Sequence, residues 1–347
     1  MNQRYALAKL ISKFFNQHLP LQRGASPNTI IAYQDAFKLL FCFISKKTKR
    51  SCDEITLEDF DRDTIVAFLN DLEKTKKCTT STRNARLAAI SSFFKFVAYE
   101  EPTMLEQCSQ IRGIPIKKTV KPIIQYYDES EMSALLKAID TDTLLGKRDY
   151  ALMLLLYNTG VRAQEVCDLT IDDVRLDNTA QVLIHGKGGK QRSCPLWSET
   201  VNAIKIYLTE RSGNTEENQA MFLNNRSTIL TRFGLRYIVR KYAEIASIKE
   251  KGIKRKTNGP HLIRHTTAMH LLRSGNDINM ISMWLGHADI KTTHGYIELD
   301  IEMKREMLEK RRVNLPEKKR KMKPKWGKES VLSWLDSLVK PAALCGV

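Results

Sequence analysis

The chain has 347 residues, enough for two domains with cores of their own. Its 56 Lys and Arg against 39 Asp and Glu leave a net charge of +17. That excess points to a polyanion partner, DNA or RNA, because clustered cations gain affinity by releasing condensed counterions. No apolar run reaches the length of a membrane span, and the opening MNQRYALAKLISKFF lacks a signal peptide's apolar core, so a soluble cytoplasmic or nucleoid protein is expected. Seven scattered cysteines without CxxC spacing argue for reduced thiols over a disulfide framework, most of them small core residues.

From Tyr5 to about Gln107 the apolar residues recur at helical spacing. A first helix carries Leu7, Leu10, Ile11, Phe14 and Phe15; a second opens on a Ser26 cap and the first-turn proline Pro27. Thr56 caps a third, LEDFDRDTIVAFLNDLEK or its first part. A fourth, STRNARLAAISSFFKFVAYEE, turns Leu87, Ile90, Phe93, Phe94 and Val97 inward and Arg83, Arg86 and Lys95 outward. Four such helices predict a small bundle. RGIPIKKTVKPIIQYY then loses the periodicity, and its two prolines with Lys117, Lys118 and Lys121 suggest an extended basic connector or a surface loop.

Beyond it, Asp128 or Ser130 caps a helix, and the LMLLL run is a core helix that Thr159 and Gly160 end. Arg162 is thereby presented from a turn, with Glu165 placed at i+3 to hold its guanidinium. QVLIHG and KQRSCPL form a β-hairpin around Lys187, Gly188 and Gly189. GKGGK lacks the spacing and the following helix of a phosphate-binding P-loop. A lysine at such a turn can reach into a groove and donate a proton; Lys187 and Lys190 compete for that role. Helices from Val201 to Ser247, interrupted near Gly213 and Asn214, form scaffold, with Arg232, Arg236 and Arg240 as a basic stripe. Lys254, Arg255 and Lys256 follow in a basic loop suited to phosphate contact.

The stretch from His261 to Tyr296 holds five of the seven histidines. Pro260 opens a helix that ends near Ser274, and His261, Arg264 and His265 share one of its faces. Asp277 caps a second helix, INMISMWL, which Gly286 stops, leaving His287 in the next turn and Tyr296 beyond it. Three chemistries compete for this window. Ordinary polar helix faces are one. A zinc site is the second, but Leu262 stands where HExxH needs Glu and no acidic or cysteine cluster completes a shell. Phosphoryl transfer is the third, with arginines and histidines clamping an anionic centre that Tyr296 attacks.

HxxRH, then LGH, then a tyrosine nine residues past His287, preceded by TGVRAQEV and by a lysine on a hairpin, resembles the tyrosine recombinase or phage integrase family over about Pro27 to Tyr296. The resemblance implies a mainly α protein. An N-terminal four-helix core-binding, DNA-binding domain would span 1–110, a basic linker 111–127, and a mostly helical catalytic domain with a small antiparallel β-sheet 128–313. A basic tail with a short amphipathic helix would occupy 314–347, where the resemblance is weakest. It implies Tyr296 as the nucleophile, giving a 3′-phosphotyrosine. Arg162, Arg264 and His287 would hold the phosphate, Lys187 would protonate the leaving oxygen, and His261 would accept the tyrosine proton. Glu165 and His265 would support them from behind. The expected partner is double-stranded DNA at a specific site, bound by a homo-oligomer, a tetramer on paired sites, with accessory proteins possible. No cofactor and no obligatory metal is expected. Integration, excision or transposition of a mobile element is the leading reading. The alternatives are resolution of chromosome or plasmid dimers, a type IB topoisomerase activity, or DNA binding without catalysis.

Overall fold

The computed structural model describes residues 3–119, 124–211 and 219–286. Its contacts divide the chain into two compact units, Met1–Pro122 and Ile123–Val347. His287, Tyr296, Lys121, the loop at Gly213 and Asn214 and the basic tail all lie outside the described residues.

The first unit is helical. α1 (Gln3–Lys13) runs on into a π-helical stretch, Phe14–Gln22; α2 (Pro27–Thr48), α3 (Arg62–Lys74) and α4 (Thr80–Glu100) follow. α2, α3 and α4 each start where a short oxygen-bearing side chain takes an unpaired N–H. Ser26 accepts from Thr29 N, Asp61 from Thr64 N, and Thr79 from Thr82 N. Thr56 caps only a 3-10 turn, Leu57–Asp59, and Asp61 opens the long helix. A fifth helix, α5 (Leu105–Arg112), joins the four expected ones because Cys108 and Ile111 bury against the same core. That core is rich in phenylalanine. Phe93 meets Phe14, Phe37 and Phe94 edge to face, with ring centroids 5.2, 5.1 and 5.3 Å apart, the arrangement that ring quadrupoles prefer.

Part of the predicted connector is built into the units. Ile114 is buried in the first core, Asn84 brackets the Lys117 backbone through both its N–H and its carbonyl, and Tyr127 is buried in the second core.

The second unit comprises α6 (Glu129–Lys137), α7 (Leu144–Thr159), α8 (Ala163–Cys167), α9 (Ser198–Glu210), α10 (Arg232–Ala246), α11 (Lys251–Lys254), α12 (Pro260–Arg273) and α13 (Ile278–Leu285), with a small sheet between α8 and α9 in the chain. Asp128, of the two predicted caps, receives Glu131 N in a capping box. α7 is the spine, contacting α9 on one side and α12 on another. Its buried Arg148 and Asp149 are satisfied by each other, by the Leu223 carbonyl and by the Tyr242 hydroxyl, as burying charge requires. The sheet is antiparallel in the order β1 (Val174–Arg175), β2 (Gln181–His185), β3 (Gln191–Pro195). Register pairs Ile184 with Arg192 and Val182 with Cys194.

Among the described residues six cysteines are free. Cys108, Cys167 and Cys194 are buried, Cys78 is half-buried, and Cys42 and Cys52 are exposed. No described helix is long and apolar enough to cross a membrane, and no described cluster of three or more His, Cys, Asp or Glu is arranged to hold a metal ion.

Candidate active site

Two left-handed glycines set the backbone of the site. α7 ends at Gly160, φ 60°, where a Cβ would come within 2.5 Å of the Leu285 side chain. α13 ends at Gly286, φ 64°, where a Cβ would sit 3.0 Å from the Arg192 guanidinium. No other residue type combines that backbone with so little room.

Gly160 delivers Arg162 to the N-cap of α8. Its Nη1 donates to Glu165 Oε1 at 2.7 Å, and its Nη2 donates to the Gly286 carbonyl at 2.9 Å. From α12, whose first turn holds Pro260 as expected, Arg264 is buried; Nη1 donates to the Gly160 carbonyl at 2.6 Å and Nη2 to the Leu285 carbonyl at 2.7 Å. Arg192 of β3 donates from Nε to the Trp284 carbonyl at 3.0 Å and from Nη2 to Glu165 Oε2 at 2.8 Å. The last two carbonyls of α13, Trp284 and Leu285, and that of its C-cap Gly286 are thus each taken by a different arginine from a different element. Helix C-termini leave carbonyls unpaired and carry partial negative charge, so cations settle there.

Glu165 is buried beneath Arg162 and Arg192. Burial opposes its ionisation, but hydrogen bonds from Arg192 and from the backbone and side chain of Arg162 outweigh that and hold the carboxyl below its usual range. On the outer face of α12 His261 stacks on His265, ring centroids 6.4 Å apart. Desolvation, then the charges of Arg264 and Arg162, lower the His261 pKa. Burial, His261 and Arg264 push His265 down to about 4. Both shifts favour the neutral ring over the protonated one, and His261 is the more exposed of the two.

The hairpin turn spans Lys187–Gly189 and is not helical, since Gly188 and Gly189 both take left-handed backbone at φ 76° and 74°. The backbone of Lys187 opens it; its side chain lies outside the described atoms. Lys190 is exposed immediately before β3.

Residues 125–303 match the phage integrase family, and 13–101 match the N-terminal SAM-like domain found with it. The chain is 35% identical over 310 residues to the integrase/recombinase candidate y4rC of Sinorhizobium fredii, covering 89% of this chain and 93% of that one. The chain belongs to the phage integrase family. Tyrosine recombinase XerC of Bacillus subtilis is 30% identical over 300 residues, 84% of this chain and 93% of that protein. Among solved structures, the XerH site-specific recombinase bound to its palindromic difH substrate aligns with TM-score 0.65 at 23% identity, over 86% of this chain and 84% of that one. The Tn1549 transposon integrase with circular intermediate DNA aligns with TM-score 0.64 at 15% identity, over 86% and 99%. Those two likenesses are of fold.

The basic residues expected on this integrase's DNA-facing surfaces divide. Lys95, Lys118, Lys254 and Arg255 are exposed. Arg83, expected outward, is buried at 4% exposure, its guanidinium turned to the Asn84 side chain and the Pro115 carbonyl. Lys256, expected as a phosphate contact, is half-buried, and its ammonium pairs with the buried Glu131 carboxylate beside the Tyr127 ring. Arg86 is half-buried, with Nη1 3.1 Å from Cys78 Sγ, and Lys117 pairs with Glu73. Arg192 was not among the residues expected here. Strand alternation carried its signal: it lies two residues from the buried Cys194, on the inward face of β3.

Proposed function

We propose that this chain is a site-specific recombinase that cleaves and rejoins DNA through a 3′-phosphotyrosine at Tyr296. The observation that supports it most is the convergence of Arg162 and Arg264 on the carbonyls just before His287, with His261, whose neutral form is favoured, one turn from Arg264. Arg162, held by Glu165 and the Gly286 carbonyl beside the buried Arg264, is a planar, permanently charged group of the kind that meets a phosphate through two hydrogen bonds.

In the proposed step Tyr296 Oη forms a bond to phosphorus while the bond from phosphorus to the 5′ oxygen breaks. A tyrosine of ordinary pKa, about 10, is a poor nucleophile at neutral pH. His261 takes its proton, and Lys187 gives one to the departing 5′ oxygen. Arg162, Arg264 and His287 bind the nonbridging oxygens, whose charge grows in the transition state, so their hydrogen bonds strengthen as the reaction proceeds. The phosphotyrosine keeps the energy of the phosphodiester, and a 5′ hydroxyl from a partner strand reverses the step without ATP. A homotetramer on paired sites in the cytoplasm would do this pairwise. Mobile-element DNA is the substrate we favour, on the greater identity to the S. fredii integrase/recombinase candidate; dimer resolution is the second reading, supported by alignment over 93% of B. subtilis XerC.

The test is covalent capture on nicked duplexes drawn from DNA flanking the gene, run in chelator beside Tyr296→Phe. A denaturation-resistant adduct from the wild type alone is expected. An adduct from Tyr296→Phe as well would move the nucleophile elsewhere, and none from either on a verified recombination site would sink the proposal.

A further inference from the structure

We infer that Arg192 is a positioning residue of this active site, the strut that fixes both the Arg162–Glu165 pair and the helix end at Trp284–Gly286. The inference rests on the recombinase reading above and goes beyond the residues named in it.

Arg192 occupies a place where the fold asks for an apolar residue. It faces Ile184 across the ladder on the buried side of β3, and only 12% of its side chain is exposed. A buried ion pair is a poor way to stabilise a core, since desolvation offsets most of the attraction and an apolar side chain of like volume does as well or better. A guanidinium there is better explained by what it holds in place. Its fork reaches two elements at once: Nη2 meets Glu165 Oε2 on α8, and Nε meets the Trp284 carbonyl on α13.

Glu165 has one oxygen on each guanidinium, Oε1 on Arg162 and Oε2 on Arg192, and Oε2 also receives the Arg162 backbone N–H at 3.1 Å. Without Arg192 the carboxylate loses a side-chain donor that opposes its rotation, and Arg162 loses its fixed partner. On the other side the last turn of α13 rests on Arg192. A Cβ on Gly286 would meet its Nη1, Cδ and Cζ at 3.0, 3.2 and 3.3 Å. The Gly286 carbonyl in turn receives Arg162 Nη2, which closes a ring of contacts through Arg162, Glu165, Arg192 and residues 284–286. Lysine cannot replace the fork, because one ammonium on a flexible stem does not span both acceptors in a fixed plane.

The experiment uses the full-length protein and the nicked duplex on which the wild type forms its adduct. Arg192→Met keeps the volume and removes the fork; Arg192→Lys keeps the charge. For each, duplex affinity, the single-turnover rate of adduct formation and the thermal unfolding midpoint are measured. Adduct formation is expected to slow on the order of a hundredfold, as for a small misplacement of catalytic groups, with affinity within about twofold. Arg192→Lys should recover only part of the rate. In a cycle with Glu165→Gln, the double variant should be about as slow as the slower single one, because residues acting as one unit do not multiply.

Rates near wild type, affinity falling in step with rate, or multiplicative effects in the cycle would each overturn the inference. Should Arg192→Met fail to fold, the same outcomes are read from Arg192→Lys, which keeps the buried charge paired. No adduct from the wild type on any duplex would sink the recombinase reading and this inference with it. A wild-type adduct with undiminished Arg192 variants would overturn this inference alone.

Discussion

Each unit has an apolar core, but the second adds a different kind of construction at its site. The first is built from side chain against side chain: phenylalanine rings around Phe93, which is fully buried, and apolar faces of five helices. The second has an ordinary apolar core along α7, but its site is built from side chain against backbone, with three arginines on the consecutive carbonyls of Trp284, Leu285 and Gly286. Apolar packing is non-directional and tolerates exchanges of like volume, whereas a bond to a carbonyl fixes an atom to within tenths of an ångström. A scaffold can use the first; groups that must meet a phosphate in register need the second.

The largest expected break in that contrast is Phe93→Ala. It should cost the first unit about 3–5 kcal/mol through lost burial and the cavity left behind, with Phe93→Leu costing far less. Hydrogen exchange read by peptide should show protection falling within Met1–Pro122 while the peptides of α7 and α12 keep theirs. Equal loss in both units would mean that they unfold as one.

Acid should act on the other side. His265 titrates at about 4 in the folded chain against about 6.5 for an ordinary histidine. Its neutral form is favoured in the folded state, so the unfolded state binds the proton more readily below pH 6.5. The contribution is whole above about 6.5 and is lost progressively as pH falls towards 4. Urea unfolding followed across that range should show the second unit weakening, and His265→Gln should flatten the slope.

The smallest effect sharpens the comparison most. Gly24 in the first unit and Gly286 in the second both have positive φ, 56° and 64°. Alanine at Gly24 meets nothing within 4 Å and should pay only the backbone cost of about 1–2 kcal/mol. Alanine at Gly286 pays the same and also presses on Arg192. Unfolding midpoints should therefore fall further for Gly286→Ala, with adduct formation slowed only there.

Much of this was legible in the chain. The caps at Ser26, Asp128 and Asp277, the proline at the start of α12, the hairpin around Gly188 and Gly189, and the shared face of His261, Arg264 and His265 all depend on neighbours a few residues away. Local chemistry is what sequence spacing reports. The misses depend on distant backbone. Arg83 reads as outward until the Pro115 carbonyl, 32 residues on, offers it a buried partner, and Lys256 reads as a free cation until Glu131 comes beneath it. β1 has only two residues, Val174–Arg175, too few for alternation to register. Arg192 was hidden for the same reason as Arg83, since its acceptor carbonyl lies 92 residues away, although its inward register was there to be read.

Carbonyl oxygens orient a guanidinium without cancelling it. Of the groups gathered at the end of α13, three are cations and one, Glu165, is an anion, which leaves a surplus of two positive charges that the peptide dipoles aim but do not neutralise. Carboxylates in place of those three carbonyls would have turned that surplus into a net negative charge. That surplus predicts competition by small oxyanions: at constant ionic strength, sulfate or pyrophosphate in the buffer should slow adduct formation, and an unchanged rate would count against an anion site here.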